Sequence, residues 1–259
     1  MHEYEAGIIR TEFRGTNTYL IDLSCESISR EVVPGQFVQV RVGCGTDPFL
    51  RRTFSVCSVD GKPGMITLMV DVVGQGTEML AVTRRSRTLN VIGPLGNGFD
   101  LHLGGDGHCI LVAGGVGAAP LIFLAQELRR STSRKITFML GGRTARDLAI
   151  AEGMLPNGVD FMTATDDGSS GYHGYVSKLL EEKCEMLCPA AIYACGPDPM
   201  MRLVAAQASL RKLPCQVSLE ERMACGIGAC YGCAVELRMG DMVRTCVDGP
   251  VFSAGEVYW

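Results

Sequence analysis

Cys109-Ile-Leu-Val-Ala-Gly114-Gly115-Val116-Gly117-Ala118-Ala119-Pro120 is the stretch on which the fold turns. Five apolar residues predict a buried strand, the glycines a tight turn, and Ala118 onward a helix. No charge interrupts the chain from Cys109 to Ala125, which invites comparison with a membrane span. The run falls short of the roughly 20 residues a bilayer needs, and Gly114, Gly115, Gly117 and Pro120 break it in the middle. Strand, glycine turn and helix instead make a ready dinucleotide site: the glycines admit a pyrophosphate, and the helix N-terminus stabilises its charge. Pro120 stands where the last glycine of that fingerprint usually falls, a place suited to a first helical turn. About 20 residues on, where the fingerprint commonly adds an acidic residue, the chain offers Gly141-Gly142-Arg143.

Toward the C-terminus, strand and helix alternate. Apolar runs at 109–113, 136–140, 159–164 and 190–195 are separated by helix-like segments at 118–130, 144–152, 174–183 and 198–212. That rhythm predicts a parallel sheet covered by helices on both faces, a Rossmann-like domain over residues 104–213. Gly104-Gly105-Asp106-Gly107 is the expected joint. Toward the N-terminus the elements are short strands: Val38, Val40 and Val42 alternate with Gln39 and Arg41, and Ile66, Leu68, Val70 and Val72 repeat the period of two. Gly35, Gly43, Gly45, Gly61-Lys62-Pro63-Gly64, Gly74 and Gly93-Pro94 punctuate them. With no long amphipathic helix, residues 1–103 read as an antiparallel β-barrel. Past Pro214 the rhythm breaks, and residues 214–259 form a segment rich in cysteine and glycine. The fold class is therefore β-barrel plus α/β, with a C-terminal appendage.

Lys+Arg 24 against Asp+Glu 28 leaves a net charge of −4, which argues against nucleic-acid binding. A hydrophobic content of 47% with 20% charged residues is a globular composition. Glycine numbers 32 of 259 residues, about 12% against a usual 7% or so, as expected where backbone approaches bound cofactors. The opening Met-His-Glu-Tyr-Glu-Ala has neither the basic nor the apolar region of an export signal. Cytoplasmic location follows as the expectation, and there the 12 cysteines stay reduced and clustered ones bind metal.

Cys225-Gly-Ile-Gly-Ala-Cys230-Tyr-Gly-Cys233, followed by Cys246, supplies that cluster. The C-x4-C-x2-C spacing with one later cysteine is the plant-type pattern for [2Fe–2S], in which each iron takes two protein thiolates. Gly226, Gly228 and Gly232 let the loop fold tightly and aim N–H groups at the sulfurs. Zinc is the competing reading, but zinc sites usually pair two short knuckles, and only Cys230 and Cys233 form one. Cys25, Cys44, Cys57, Cys109 and Cys215 read as core or surface thiols. So do Cys184 and Cys188, which have ligand spacing on a helix but no glycine loop.

The barrel carries Arg52-Thr53-Phe54-Ser55 and then Gly74-Gln75-Gly76-Thr77. An Arg and a Ser three apart on a strand, with a Gly-x-Gly-Thr turn, can hold a pyrophosphate, and Phe54 can lie against an aromatic ring system. Each piece alone is common in β proteins. Followed by the Gly114–Pro120 turn and by Cys195-Gly196-Pro197-Asp198-Pro199-Met200, they resemble the landmarks of the ferredoxin–NADP reductase superfamily, and an ordinary Rossmann dehydrogenase is disfavoured. The resemblance implies FAD on the barrel, at Arg52, Thr53, Phe54, Ser55, Met69, Val70, Asp71, Gly74, Gly76 and Thr77. It implies a nicotinamide dinucleotide at Gly114, Gly115, Gly117, Pro120 and Gly196. It further implies Cys195 as a catalytic residue where nicotinamide meets flavin.

Ser218-Leu219-Glu220-Glu221-Arg222-Met223-Ala224-Cys225, running into Gly226–Cys230, resembles the electron-transfer subunits of type B dihydroorotate dehydrogenases. Arg51-Arg52 and Asp166-Asp167-Gly168 fit the same family, and the likeness covers essentially the whole chain. It implies a partner, the FMN-containing dihydroorotate dehydrogenase catalytic subunit, in a heterotetramer with two copies of each. Electrons would pass from that subunit through the [2Fe–2S] cluster and FAD to NAD+ in pyrimidine biosynthesis, with no membrane involved. Two positions depart from the pattern: Thr53 replaces a usual proline and Asp71 a common basic residue. The alternative is a stand-alone NAD(P)H-dependent reductase serving a ferredoxin or oxygenase, although such reductases often carry a separate ferredoxin domain. Arg143 leaves NAD and NADP both open.

Overall fold

The structure is a computed structural model that describes residues 2–43, 45, 47–59, 64–83 and 87–259. Cys44 and the expected turn residues Gly61, Lys62 and Pro63 lie outside the described residues. The N-terminal unit runs β1 (His2–Arg14), β2 (Thr18–Ser24), α1 (Glu26–Glu31), β3 (Phe37–Val40), β4 (Arg52–Val59), β5 (Met65–Asp71), α2 (Gln75–Ala81) and β6 (Thr88–Leu95). Its six strands close into an antiparallel barrel in the order β1-β2-β5-β4-β3-β6. Alternation sends Ile21, Leu23, Val38, Val40, Val56, Ile66 and Leu68 inward, where they pack on one another. Each such side chain contributes roughly 1.5–3 kcal/mol on burial. Leu20, Cys57 and Met69 point the other way and are buried all the same, because the second unit covers them.

That unit contains β7 (Cys109–Gly114), α3 (Ala118–Ser131), β8 (Ile136–Gly142), β9 (Val159–Thr165), β10 (Tyr172–His173), α4 (Val176–Leu187), β11 (Ala191–Cys195), α5 (Asp198–Leu210) and β12 (Cys215–Ser218). The last segment adds β13 (Ala234–Glu236), β14 (Met242–Arg244) and β15 (Val251–Ser253). The large sheet runs β10-β9-β8-β7-β11-β12-β15, parallel until β15 joins its edge antiparallel. Leu111, Phe138 and Tyr193 pack with α3 on one face, while Ile110, Val112, Met139 and Ile192 pack with α4 and α5 on the other. The charge-free run from Cys109 is thus strand and helix, and no described helix is long and apolar enough to cross a membrane.

One expected helix is shorter than its sequence suggests. Over 144–152 there is only a 3-10 turn, Asp147–Ala151. The Asp147 carboxylate draws in the Thr144 N–H (3.0 Å), and Gly153 at φ +71° ends the turn before Pro156. The sheet also extends beyond residue 213, since β12 and β15 belong to it and bracket the cysteine-rich loop.

The joint is fastened by Arg134, only 1% exposed. Its guanidinium donates to the carbonyls of Gly107 (2.8 Å) and Leu101 (2.9 Å), and the Tyr193 hydroxyl donates to Asp100 O (2.7 Å). Burial is the main reason the Tyr193 phenol is pushed up to about 12. Across the contact, Ser58 Oγ on β4 donates to Gln126 Oε1 on α3 (3.0 Å). The barrel is therefore docked on the α/β unit along a packed face.

Candidate functional site

β7, β8, β9 and β11 end at one edge of the sheet, where open α/β folds bind ligands. β7 and β11 are sequence-distant neighbours, and their tips meet through glycine. A Cβ on Gly117 would lie 2.5 Å from the Cys195 carbonyl, and one on Gly196, at φ +152°, would lie 2.9 Å from Gly114 N. Pro120 is buried within the first turn of α3, as its place in the turn predicts. The bare backbone opens onto a cavity of about 650 Å³, lined by Gly114, Gly115, Gly141, Gly142, Arg143 and Asp166 and, from the barrel, by Thr18 and Asp71.

The β1–β2 hairpin reaches across this cleft. Thr16 Oγ1 donates to Asp147, and Arg14 Nη1 donates to Glu152 O (2.9 Å). Burial opposes ionisation of Asp147, but donors on Thr16 and Thr144, with Arg143 near, hold its carboxyl below the usual range.

Cys195 ends β11 and is 1% exposed. Burial first, then the Glu220 carboxylate, pushes its thiol well up, and a hydrogen bond with Ser218 offsets only part. Glu220 itself follows β12. The protein around it and then the Asp71 carboxylate push its carboxyl up. Asp71, at the end of β5, accepts from Thr18 Oγ1 (3.0 Å). Cys195, Glu220 and Asp71 thus come together from three separate stretches of chain.

On the barrel, the two expected landmarks touch. Arg52 lies over the start of α2, where a Cβ on Gly76 would fall 2.6 Å from its Nε. Gly74-Gln75-Gly76-Thr77 is the opening of α2 rather than a free turn. The Thr77 hydroxyl is engaged locally, donating to Gly74 O (2.8 Å) and accepting from Val73 N (2.9 Å), so it shapes the loop. Thr53 and Ser55 face outward on β4, opposite Gln39 and Phe37 of β3. Phe54 does not meet the expectation of a side chain lying against a ring system. It faces inward opposite Val38 and packs in the barrel core, because β4 alternates and Thr53 and Ser55 hold the outer face. Val70 is likewise a core side chain, while Met69 is buried against the second unit.

The cysteine loop lies over the outer face of β3. Gln39, 1% exposed, donates to Thr53 Oγ1 (3.4 Å), and a Cβ on Gly226 would meet the Gln39 amide at 2.5 Å. Gln39 lies on the strand face opposite Val38 and Val40, and nothing local in the sequence marks the loop that covers it. Cys233 and Cys246 are buried with Phe37 and Leu95, whereas Cys225 is partly exposed and Cys230 exposed.

The thiols pair as Cys225 with Cys230 and Cys233 with Cys246. Among the described residues no three His, Cys, Asp or Glu side chains surround a single-ion site. Two pairs are the donor set that a dinuclear centre needs, with two sulfurs for each metal. Four backbone N–H groups point at these sulfurs: Ile227 (3.5 Å) and Cys230 (3.4 Å) at Cys225, Gly228 at Cys246 (3.2 Å) and Gly232 at Cys230 (3.4 Å). Burial works against the Cys225 thiolate, yet these donors outweigh it and hold the thiol at about 6. Burial and the Cys233 thiol push Cys246 up to about 11. Cys184 and Cys188 stand apart on α4 and its C-cap, with no glycine loop.

Known proteins agree with this geometry. Residues 220–258 match the iron–sulfur cluster binding domain of dihydroorotate dehydrogenase B, and residues 111–206 match an oxidoreductase NAD-binding domain. The dihydroorotate dehydrogenase B (NAD(+)) electron transfer subunit of Desulforamulus reducens is 39% identical, over 99% of this chain and 98% of its own. That of Geobacillus kaustophilus is 40% identical over 93% and 92%. A solved chain of the NADH-dependent reduced ferredoxin–NADP oxidoreductase, studied for flavin-based electron bifurcation, superposes with a TM-score of 0.85. It is 29% identical and covers 98% of this chain and 90% of that one. The likeness runs nearly end to end in both partners, so the chain belongs to the family of dihydroorotate dehydrogenase B (NAD(+)) electron transfer subunits.

Proposed function

We propose that this chain carries electrons between a dihydroorotate-oxidising catalytic subunit and NAD+ by way of a [2Fe–2S] centre and FAD. The observation that carries the reading is that three features each meet one barrel: the cysteine loop through Gly226 on Gln39, the Arg52–Gly76 landmark, and the glycine-lined cleft through Thr18 and Asp71. Cys225, Cys230, Cys233 and Cys246 would hold the cluster. Arg52, Thr53, Ser55, Asp71, Gly74 and Gly76, with the backbone at Phe54, Met69 and Val70, would hold FAD, and Thr77 would fix the loop beneath it. Gly114, Gly115, Gly117, Pro120 and Gly196 would admit the nicotinamide dinucleotide. When bound, the flavin exchanges two electrons as hydride with a nicotinamide and single electrons with an iron–sulfur centre.

The protein's own part is positioning. Gly114, Gly117 and Gly196 withhold side chains so that a ligand can approach backbone, and Cys195 remains a neutral thiol that packs without adding charge. The Thr16–Asp147 and Arg14–Glu152 bridges hold the barrel hairpin over the cleft. In this division, residues 1–103 serve the flavin, 104–213 the nicotinamide and 214–259 the cluster, with β12 and β15 tying the last to the sheet. A partner fits the exposed apolar side chains beside the cluster loop: Ile227 is 45% exposed, Val247 40% and Tyr231 60%. On this reading the partner is the FMN-bearing catalytic subunit, in a cytoplasmic assembly of two copies of each chain.

The test is cofactor content of the anaerobically purified chain. Expected are one FAD, with two irons and two acid-labile sulfides per chain. Stoichiometric zinc without sulfide overturns the reading.

A further inference from the structure

Arg244 closes β14, two residues before Cys246, and its side chain turns back over the cysteine loop. Nη1 donates to Gly228 O (3.1 Å), Nε reaches Asp248 Oδ2 (3.3 Å), and Cζ lies 5.1 Å from the centre of the Tyr231 ring. The Arg244 N–H donates to the same Asp248 oxygen (2.8 Å), so backbone and side chain grip one carboxylate. A Cβ on Gly228 would meet Nη1 at 3.2 Å, and Gly228 sits at φ +81°, where glycine is favoured. Tyr231 also has positive φ, +58°, a strained setting that the stacked guanidinium helps to hold.

The contact matters because of which residue it grips. Arg244 holds Gly228 by its carbonyl, and the N–H of the same residue donates to the Cys246 sulfur (3.2 Å). Fixing that residue fixes the direction in which its N–H points. The donors are also unevenly shared: Ile227 and Cys230 serve Cys225, while Gly228 alone serves Cys246. Donors that stabilise negative charge on ligand sulfur favour the reduced, more negative state of an iron–sulfur centre.

We propose that Arg244 is a positioning residue of the cluster, which through Gly228 and the Tyr231 ring fixes the cysteine loop and raises the potential of the centre held there. The inference rests on the proposed assignment of Cys225, Cys230, Cys233 and Cys246 as cluster ligands. Asp248, itself held by the Arg244 N–H, keeps the guanidinium in place.

The experiment is an EPR-monitored redox titration of the full chain, comparing wild type with R244Q and R244K. Arg244→Gln is expected to shift the reduction equilibrium toward the oxidised centre by about tenfold, which for one electron is about 59 mV. It should also speed loss of iron to a chelator by roughly tenfold or more. Arg244→Lys keeps a cation but not the fork, and should fall between the two while retaining iron better than the glutamine variant. Equal potentials in all three loaded proteins overturn the role of Arg244 and leave the ligand assignment standing. A wild-type chain that binds no iron and sulfide defeats the assignment instead. If R244Q loads no cluster, the potential of R244K decides: a value equal to wild type sinks the proposal.

Discussion

Four cysteines of this chain have surroundings unlike those of its other described cysteines. Cys225, Cys230 and Cys246 accept backbone N–H donors, and Cys233 is buried beside Cys246. Cys184 is buried among α4 and α5 residues, and Cys188 sits exposed at a helix end. Replacing any of the four by Ser is expected to abolish or destabilise iron binding, whereas Cys184→Ser and Cys188→Ser should leave iron and sulfide unchanged by metal analysis. Loss of iron from Cys184→Ser to the extent seen for Cys230→Ser contradicts the assignment. Cys195 belongs to neither group. Its position at the tip of β11, against Gly117 and beside Glu220, predicts that Cys195→Ala slows flavin reduction by NADH in stopped flow. FAD and iron content should remain near wild type. An unchanged rate makes Cys195 a packing residue and nothing more.

Among the elements, the strand–turn–helix at Cys109–Ser131 shows how much tight backbone contact decides. Gly117 has an ordinary helical φ of −59°, so its objection to a side chain is the Cys195 carbonyl and the Gly196 nitrogen behind it. Gly115 is the reverse, with φ +53° and open space around its Cβ position. Gly117→Ala is expected to cost about 1–3 kcal/mol from overpacking between two buried strand ends. Gly115→Ala should cost about 1 kcal/mol from backbone strain alone. Urea denaturation of the two variants checks the order, and a larger loss from Gly115→Ala contradicts it.

The α/β alternation was readable because buried strands and amphipathic helices leave long, regular apolar signatures. The barrel was readable from its period of two. Facing was harder. Phe54 and Gln39 each sit where alternation sends them, but which side was core depended on a cysteine loop more than 180 residues away that covers Gln39. Glu220 and Asp147 escaped as site residues for the same reason, since their neighbours come from distant segments.

Taken whole, the molecule is two packed units, and several of its buried groups resist ionisation. Burial pushes the Cys215 thiol up to about 12. It also pushes Cys109 up to about 11, against a lowering by Arg134. Unfolded thiols ionise near 9, so the folded chain loses nothing from these groups below that pH and is progressively destabilised as pH rises from about 9 toward 11 and 12. The thermal midpoint by circular dichroism should fall over that window, and replacing both Cys109 and Cys215 by Ala should flatten the decline. An unchanged slope in the double variant removes them as the cause.

On the proposed reading, the cysteine loop with exposed apolar side chains on the barrel's outer face exchanges electrons with another protein, because hydride exchange between a flavin and a nicotinamide needs no iron. The direct measurement is NADH formation from dihydroorotate and NAD+ under anaerobic conditions, with this chain alone, with the catalytic subunit alone, and with both. The expected result is orotate-linked NADH only in the mixture, while the chain alone still supports NADH-driven dye reduction. Efficient orotate and NADH formation by this chain with no other polypeptide present, or a mixture that forms orotate yet never reduces NAD+, would contradict its role as the electron-transfer subunit.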